Sequence, residues 1–218
     1  MNRIKSLILL FSLFVSAFTL VSCSETDDTV EEFPDWQSTN DTYFNKIYTE
    51  AKAAITSGDT SWKIFSSYAL NDSMAPNATD HIVVKVIKKG TGSGCPLYTD
   101  TVRVHYRGRL LPSTSYSNGY VFVESYSGDY DAETSAPVTF GVSAKEAGLS
   151  TALQHMHIGD RWLVYIPYNL GYGTTASTSP VIPAYSTLIY DLTLVSYYRA
   201  GVEIPDFKAK QGGYWVEE

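Results

Sequence analysis

Residues 101–110 read Thr-Val-Arg-Val-His-Tyr-Arg-Gly-Arg-Leu, with an apolar or small side chain at every even position and a polar one at every odd position. Side chains of a strand point alternately to opposite faces, so this run specifies a strand with one buried face and one wet face. A helix would scatter Val102, Val104, Tyr106 and Leu110 around its circumference. β-Branched and aromatic runs recur at 81–89, 120–126, 137–142, 160–167 and 186–195, each bounded by Gly, Pro, Asn or Ser. Within this stretch only residues 145–156, short and containing Ala and Leu, read as helical. Strands, one short helix, then strands predict an α+β domain built on an antiparallel sheet. The chain carries 17 Tyr, a residue that supplies apolar area with a polar tip and suits a half-wet cleft.

Ahead of the sheet pattern the period changes. Tyr43, Phe44, Ile47, Tyr48, Ala51, Ala54 and Ile55 recur at helical spacing between candidate N-caps Thr39, Asn40 and Asp41 and a stop at Gly58, which predicts an N-terminal amphipathic helix. Its apolar face is expected to pack within the chain; the alternative is a homodimer through the 40–57 helix. Residues 62–68 show partial strand alternation, and 71–80 read as loop. The segment 199–218, with Pro205, Gly212 and Gly213, leaves open whether Tyr214, Trp215 and Val216 dock on the domain.

The first residues carry Arg3 and Lys5, then an apolar run over 7–21 ending at Ser22-Cys23, the make-up of a signal peptide. Leu20-Val21-Ser22-Cys23 looks like the lipobox of bacterial lipoproteins, which implies lipidation of Cys23 and anchorage to the cell envelope, at the outer membrane, facing the periplasm or the surface. The acidic stretch 24–32 is a solvated tether, and it also resembles the surface-export signal of Bacteroidetes-like lipoproteins. With Cys23 lipidated, Cys95 would be a free thiol. Removing residues 1–22 takes away two cations and leaves 14 against 23 anions, a balance that argues against nucleic acid and against adhesion to anionic lipid by charge.

Four segments then fall in register. Val104-His105-Tyr106-Arg107-Gly108 resembles the Val-His-Tyr-x-Gly strand of FKBP-type peptidyl-prolyl isomerases. Met156-x-Ile158-Gly159-Asp160-Arg161 is similar to their helix-to-strand step, and 166–173 to their Pro-x-x-x-x-Tyr-Gly loop. Residues 181–191 follow their Ile-Pro-x-x-x-Thr-Leu-x-Phe-Asp ending, with Tyr190 at the Phe position. The resemblance covers 81–197 and implies a sheet wrapped on one short helix, with no cofactor and proline-containing polypeptides as clients. It divides the chain into signal peptide 1–22, lipidated acidic linker 23–38, helical extension 39–80, isomerase-like domain 81–198 and tail 199–218.

By motif position the resemblance implies a prolyl pocket of Tyr106, Phe122, Phe140, Val181, Ile182 and Tyr190, with Tyr172 donating a hydrogen bond. Leu149 stands where the family has a Trp floor. Glu146 stands where an Ile offers its backbone N–H to ligand. Val123-Glu124 replaces the usual Asp after Phe122, and residues 127–136 form a longer polar loop expected beside the cleft. Such a site needs no acid, base or metal, because rotating an X-Pro bond means crossing a resonance barrier rather than breaking a bond. Two readings follow: an isomerase assisting the folding of exported proteins, or an FKBP-like binding or chaperone module of the envelope with little turnover. His155-x-His157 lacks a third ligand and reads as structural rather than as a metal site.

Overall fold

The computed structural model describes residues 31–200 and 213–216. The signal-peptide segment 1–22, Cys23 and half of the 23–38 linker lie outside them. Helix α1 spans Trp36–Thr56. Strands β1 (Trp62–Ser66), β2 (His81–Lys88), β3 (Thr101–Arg109), β4 (Val121–Glu124) and β5 (Val138–Gly141) follow. Helix α2 covers Ala147–Leu153, then come β6 (Arg161–Ile166), β7 (Ser177–Thr178), β8 (Val181–Ile182), β9 (Leu188–Ala200) and β10 (Gly213–Val216).

The main sheet has the order β1-β2-β6-β9-β3-β4, all antiparallel; β5 pairs with the first half of β3, and β10 with the end of β9. β7 and β8 form a separate hairpin. The segment whose docking the sequence left open is therefore a strand, with Gly213 opposite Ala200 and Val216 opposite Tyr197.

Register explains why both faces of this sheet are covered. Val84, Val164, Tyr190 and Gly108 lie in one cross-strand row, and Val83, Tyr165 and Ile189 in the next. Adjacent rows face opposite sides, yet Val83, Tyr165 and Ile189 are buried, as are Val84, Val164 and Tyr190. Helix α2 covers one side, where a side chain at Gly148 would overlap Ile166 of β6. Residues Gly148–Leu153 are all buried. The two hydroxyls among them stay satisfied, Ser150 donating to the Val142 carbonyl and Thr151 to that of Ala147, each at 2.7 Å.

Helix α1 covers the other side, with Tyr43 against Tyr165 and Trp36, Asn40, Phe44, Ile47 and Ala51 buried. The expected amphipathic face thus packs within the chain. Each fully buried large side chain of this kind contributes about 1.5–3 kcal/mol.

The start of α1 differs from expectation. It begins at Trp36, not after Thr39–Asp41, so the 23–38 linker gives way to helix before its expected end. Its N-cap is Asp35 in a left-handed conformation (φ 48°), with no side-chain cap. The reason is tertiary. The Trp36 indole Nε1 donates to Ser186 Oγ at 2.9 Å, and Phe33 packs edge-on against the same ring. Asn40 is buried and holds the chain from both ends: its Nδ2 donates to the Trp36 carbonyl, and its Oδ1 accepts from the Thr187 N–H, each at 2.7 Å. Gly58, at φ 90°, ends the helix where the sequence places its stop. All that is described from Glu32 onward forms one unit, so α1 and β1 extend the sheet domain rather than stand apart from it.

Candidate active site

β3 and β9 run side by side with Gly108 opposite Tyr190 and Tyr106 opposite Leu192. Tyr106 and Tyr190 therefore emerge on the α2 side of the sheet. Their rings are parallel within 7°, centroids 6.1 Å apart. Phe122 of β4 meets Tyr190 edge-on at 5.6 Å, and Phe140 of β5 tilts against Tyr106 at 5.8 Å. Gly108 makes this closure possible. A Cβ there would lie 2.7 Å from both Phe122 Cζ and Tyr190 Cε1, inside the contact distance of carbon atoms.

Leu149 of α2 and Ile182 of β8 are fully buried in the same hydrophobic core as Tyr106 and Tyr190, whereas Val181 is 55% exposed on the hairpin. Tyr172, in the loop after β6, is half-buried and packed against the same core. The structure thus brings together Tyr106, Phe122, Phe140 and Tyr190 in direct ring contact. It places Tyr172 within electrostatic reach of Tyr106 and Glu146, and sets Val181 apart at the surface.

Glu146 is the N-cap of α2, so its backbone N–H lies outside the helix's own hydrogen bonds. Its side chain enters the cleft and accepts a short hydrogen bond from the Tyr190 hydroxyl. Burial, then the Glu146 charge, raises the Tyr190 phenol well above its ordinary value. The same two causes raise Tyr106 and Tyr172. All three phenols keep their protons at neutral pH and can act as donors.

Sequence reasoning passed over Lys145, whose Nζ lies 4.2 Å from the Phe140 ring centroid and 5.6 Å from that of Tyr106. A Lys just before a helix carries no distinctive signal. The acidic residue displaced by one position faces away: Glu124 bonds Arg107 Nε at 3.0 Å, on the pleat opposite to Tyr106. Val123 takes the place beside Phe122 and is partly buried.

The long polar loop also differs from expectation. Tyr126 lies on the Arg107 guanidinium at 4.6 Å, and Tyr130 on that of Arg161 at 4.7 Å and on His105. These anchors carry the loop onto the opposite face of the sheet rather than beside the cleft. Aromatic rings attract guanidinium groups, and Arg107 of β3 and Arg161 of β6 supply them.

His155 stacks on Phe65 at 4.1 Å, and His157 is near Cys95, Sγ to Nδ1 being 3.7 Å. A cavity of about 590 Å³ lined by Lys63, Gly90, His157 and Trp162 lies away from the tyrosine cleft.

Comparison with known proteins places this geometry. Residues 95–195 match the family model of FKBP-type peptidyl-prolyl cis-trans isomerases. The chain is 38% identical over 120 residues to a macrophage infectivity potentiator of Trypanosoma cruzi, covering 55% of each chain. It is 36% identical over 116 residues to the outer membrane protein MIP of Legionella longbeachae, covering 53% of this chain and 44% of the relative. The chain spans about half the length of the curated relatives it matches. Among solved structures, a peptidyl-prolyl cis-trans isomerase of Pseudomonas syringae pv. tomato superposes with TM-score 0.50 at 21% identity, over 74% of this chain and 95% of that one; this is a likeness of fold. Sheet order, the Tyr106–Gly108 strand closing on Tyr190, and the match over the same residues agree: residues 95–195 of this chain are similar to the FKBP-type peptidyl-prolyl cis-trans isomerase family.

Proposed function

We propose that this chain is a peptidyl-prolyl cis-trans isomerase of the cell envelope that acts on proline-containing segments of exported proteins. The observation that carries the reading is the convergence of Tyr106, Phe122, Phe140 and Tyr190 on one another. A prolyl ring held against these rings is stripped of water. The planar amide is the more resonance-stabilised and polar form, so a dry aromatic site favours the twisted form relative to it. Tyr172, kept protonated by burial, donates to the client's carbonyl oxygen. The barrier is about 18–20 kcal/mol, and lowering it requires no covalent step.

The lipobox-like Leu20–Cys23 supports a signal peptide over 1–22 and a lipid anchor at Cys23, with the acidic stretch as tether and the domain displayed at the outer membrane, facing periplasm or surface. Likeness to an outer membrane protein supports that placement. The face of α1 that would pair two copies is packed against Tyr165 and Ser186–Thr187 of the same chain, so the reading includes no dimer through residues 40–57.

One observation favours a second reading, a binding or chaperone module with little turnover. Leu149 occupies the motif position of the family's indole, and a carboxylate stands in the cleft. The test measures catalysed isomerisation of a short Ala-Pro peptide by the full chain and by variants that restore the family residues, Leu149→Trp, Glu146→Ile and Val123→Asp. Turnover by the unaltered chain supports the isomerase. Turnover gained only on restoration supports the binding module.

A further inference from the structure

Two cleft positions depart from the family pattern, and the structure joins them. Glu146 stands for an Ile and Tyr190 for a Phe, and the Tyr190 hydroxyl donates to Glu146 Oε1. Tyr190 is 2% exposed, so this bond fixes a half-buried carboxylate against the floor of the cleft. The charge reaches the other cleft phenols as well, raising Tyr106 and Tyr172 in addition to their burial. Among the described residues Glu146 forms no ion pair. Its neighbour Lys145 turns its ammonium over the rings of Phe140 and Tyr106 instead. A carboxylate set among π faces in a partly dry site attracts a cation twice over, by charge and by ring quadrupole.

We propose that Glu146 makes the cleft select proline segments in which a residue flanking the proline is Lys or Arg. The inference rests on the isomerase reading of this cleft. Lys145 bears on the same site, and its charge opposes a client cation at the Phe140 edge. Selectivity is therefore assigned to the Glu146–Tyr190 side of the cleft.

The experiment measures catalysed cis/trans exchange by NMR, using the full chain and peptides identical except for Lys, Leu or Glu immediately before the proline, with a second set varied immediately after it. In at least one set, kcat/KM for the Lys peptide should exceed that for the Glu peptide by roughly tenfold at low salt. The ratio should shrink as salt rises. Glu146→Gln keeps an acceptor for Tyr190 and removes the charge; its ratio should fall to about one, while its thermal unfolding matches the parent chain. Tyr190→Phe, which frees the carboxylate from its anchor, should reduce the ratio without abolishing it. Equal turnover of the Lys and Glu peptides in both sets, or a ratio that survives Glu146→Gln, overturns the inference and leaves the isomerase reading standing. Exchange unaccelerated with every peptide overturns both.

Discussion

The indole of Trp36 is hydrogen-bonded to the hydroxyl of Ser186, 150 residues further along the chain, and the bond is buried. Ser186 Oγ in turn donates to the Pro183 carbonyl at 2.7 Å, one residue after Ile182 of β8. The N-terminal helix therefore braces the segment between β8 and β9. Replacing Trp36 by Ala should cost about 3–5 kcal/mol, from lost burial and the cavity left behind. Urea unfolding should show this as one cooperative transition shifted to lower denaturant. An early separate transition would mean that α1 is an independent module.

Asn40 offers a sharper version of the same test. Its Oδ1 satisfies the buried Thr187 N–H, so Asn40→Leu keeps the volume and strands that donor. The loss should be about 1–3 kcal/mol, larger than for Asn45→Ala on the exposed side of the helix, which should stay within about 0.5 kcal/mol. Paired denaturation curves decide it.

Gly108 should tolerate no side chain. Gly108→Ala brings a methyl to within 2.7 Å of Phe122 and Tyr190, and overpacking of this kind costs about 1–3 kcal/mol. Because the displaced rings are those of the cleft, isomerase activity should fall further than stability does. Gly141→Ala, whose Cβ would meet nothing closer than 3.9 Å, serves as the control in the same assay.

Acid should weaken the fold in a defined window. Burial, with Lys63 adding to it, holds His155 below its ordinary value of 6.5, and burial does the same for His105. The unfolded chain thus binds protons at these sites before the folded chain does, so stability is full above 6.5 and declines as pH falls below it. His155→Phe keeps the stack on Phe65 and should flatten part of that decline when unfolding free energy is measured from pH 7.5 to 5. An unchanged slope would contradict the assignment.

How much of this was legible from residue order alone follows from the range of the forces involved. β3 alternates cleanly, and adjacent-strand packing keeps that pattern local, so sheet and α2 could be read off; the aromatic set at Tyr106, Phe122, Phe140 and Tyr190 comes from the resemblance of the motif segments. The start of α1 could not, because Trp36 and Asn40 are held by Ser186 and Thr187, contacts with no local trace. Tyr130 likewise gave no sign that it would lie over Arg161 on the far face. The Glu146 and Tyr190 departures were each visible. Their union required the β9 register that sets Tyr190 beside the N-cap of α2.

The central claim is that an aromatic cleft around Tyr106 and Tyr190 twists prolyl amides without covalent chemistry. Its most direct test is the rate of cis/trans exchange of an X-Pro peptide with and without the full chain, beside Phe122→Ala and Tyr172→Phe. The expected result is acceleration by the parent chain, reduced roughly tenfold or more by Phe122→Ala and less by Tyr172→Phe, with all three proteins folded. No acceleration by a folded parent chain, or acceleration indifferent to both substitutions, would contradict the account.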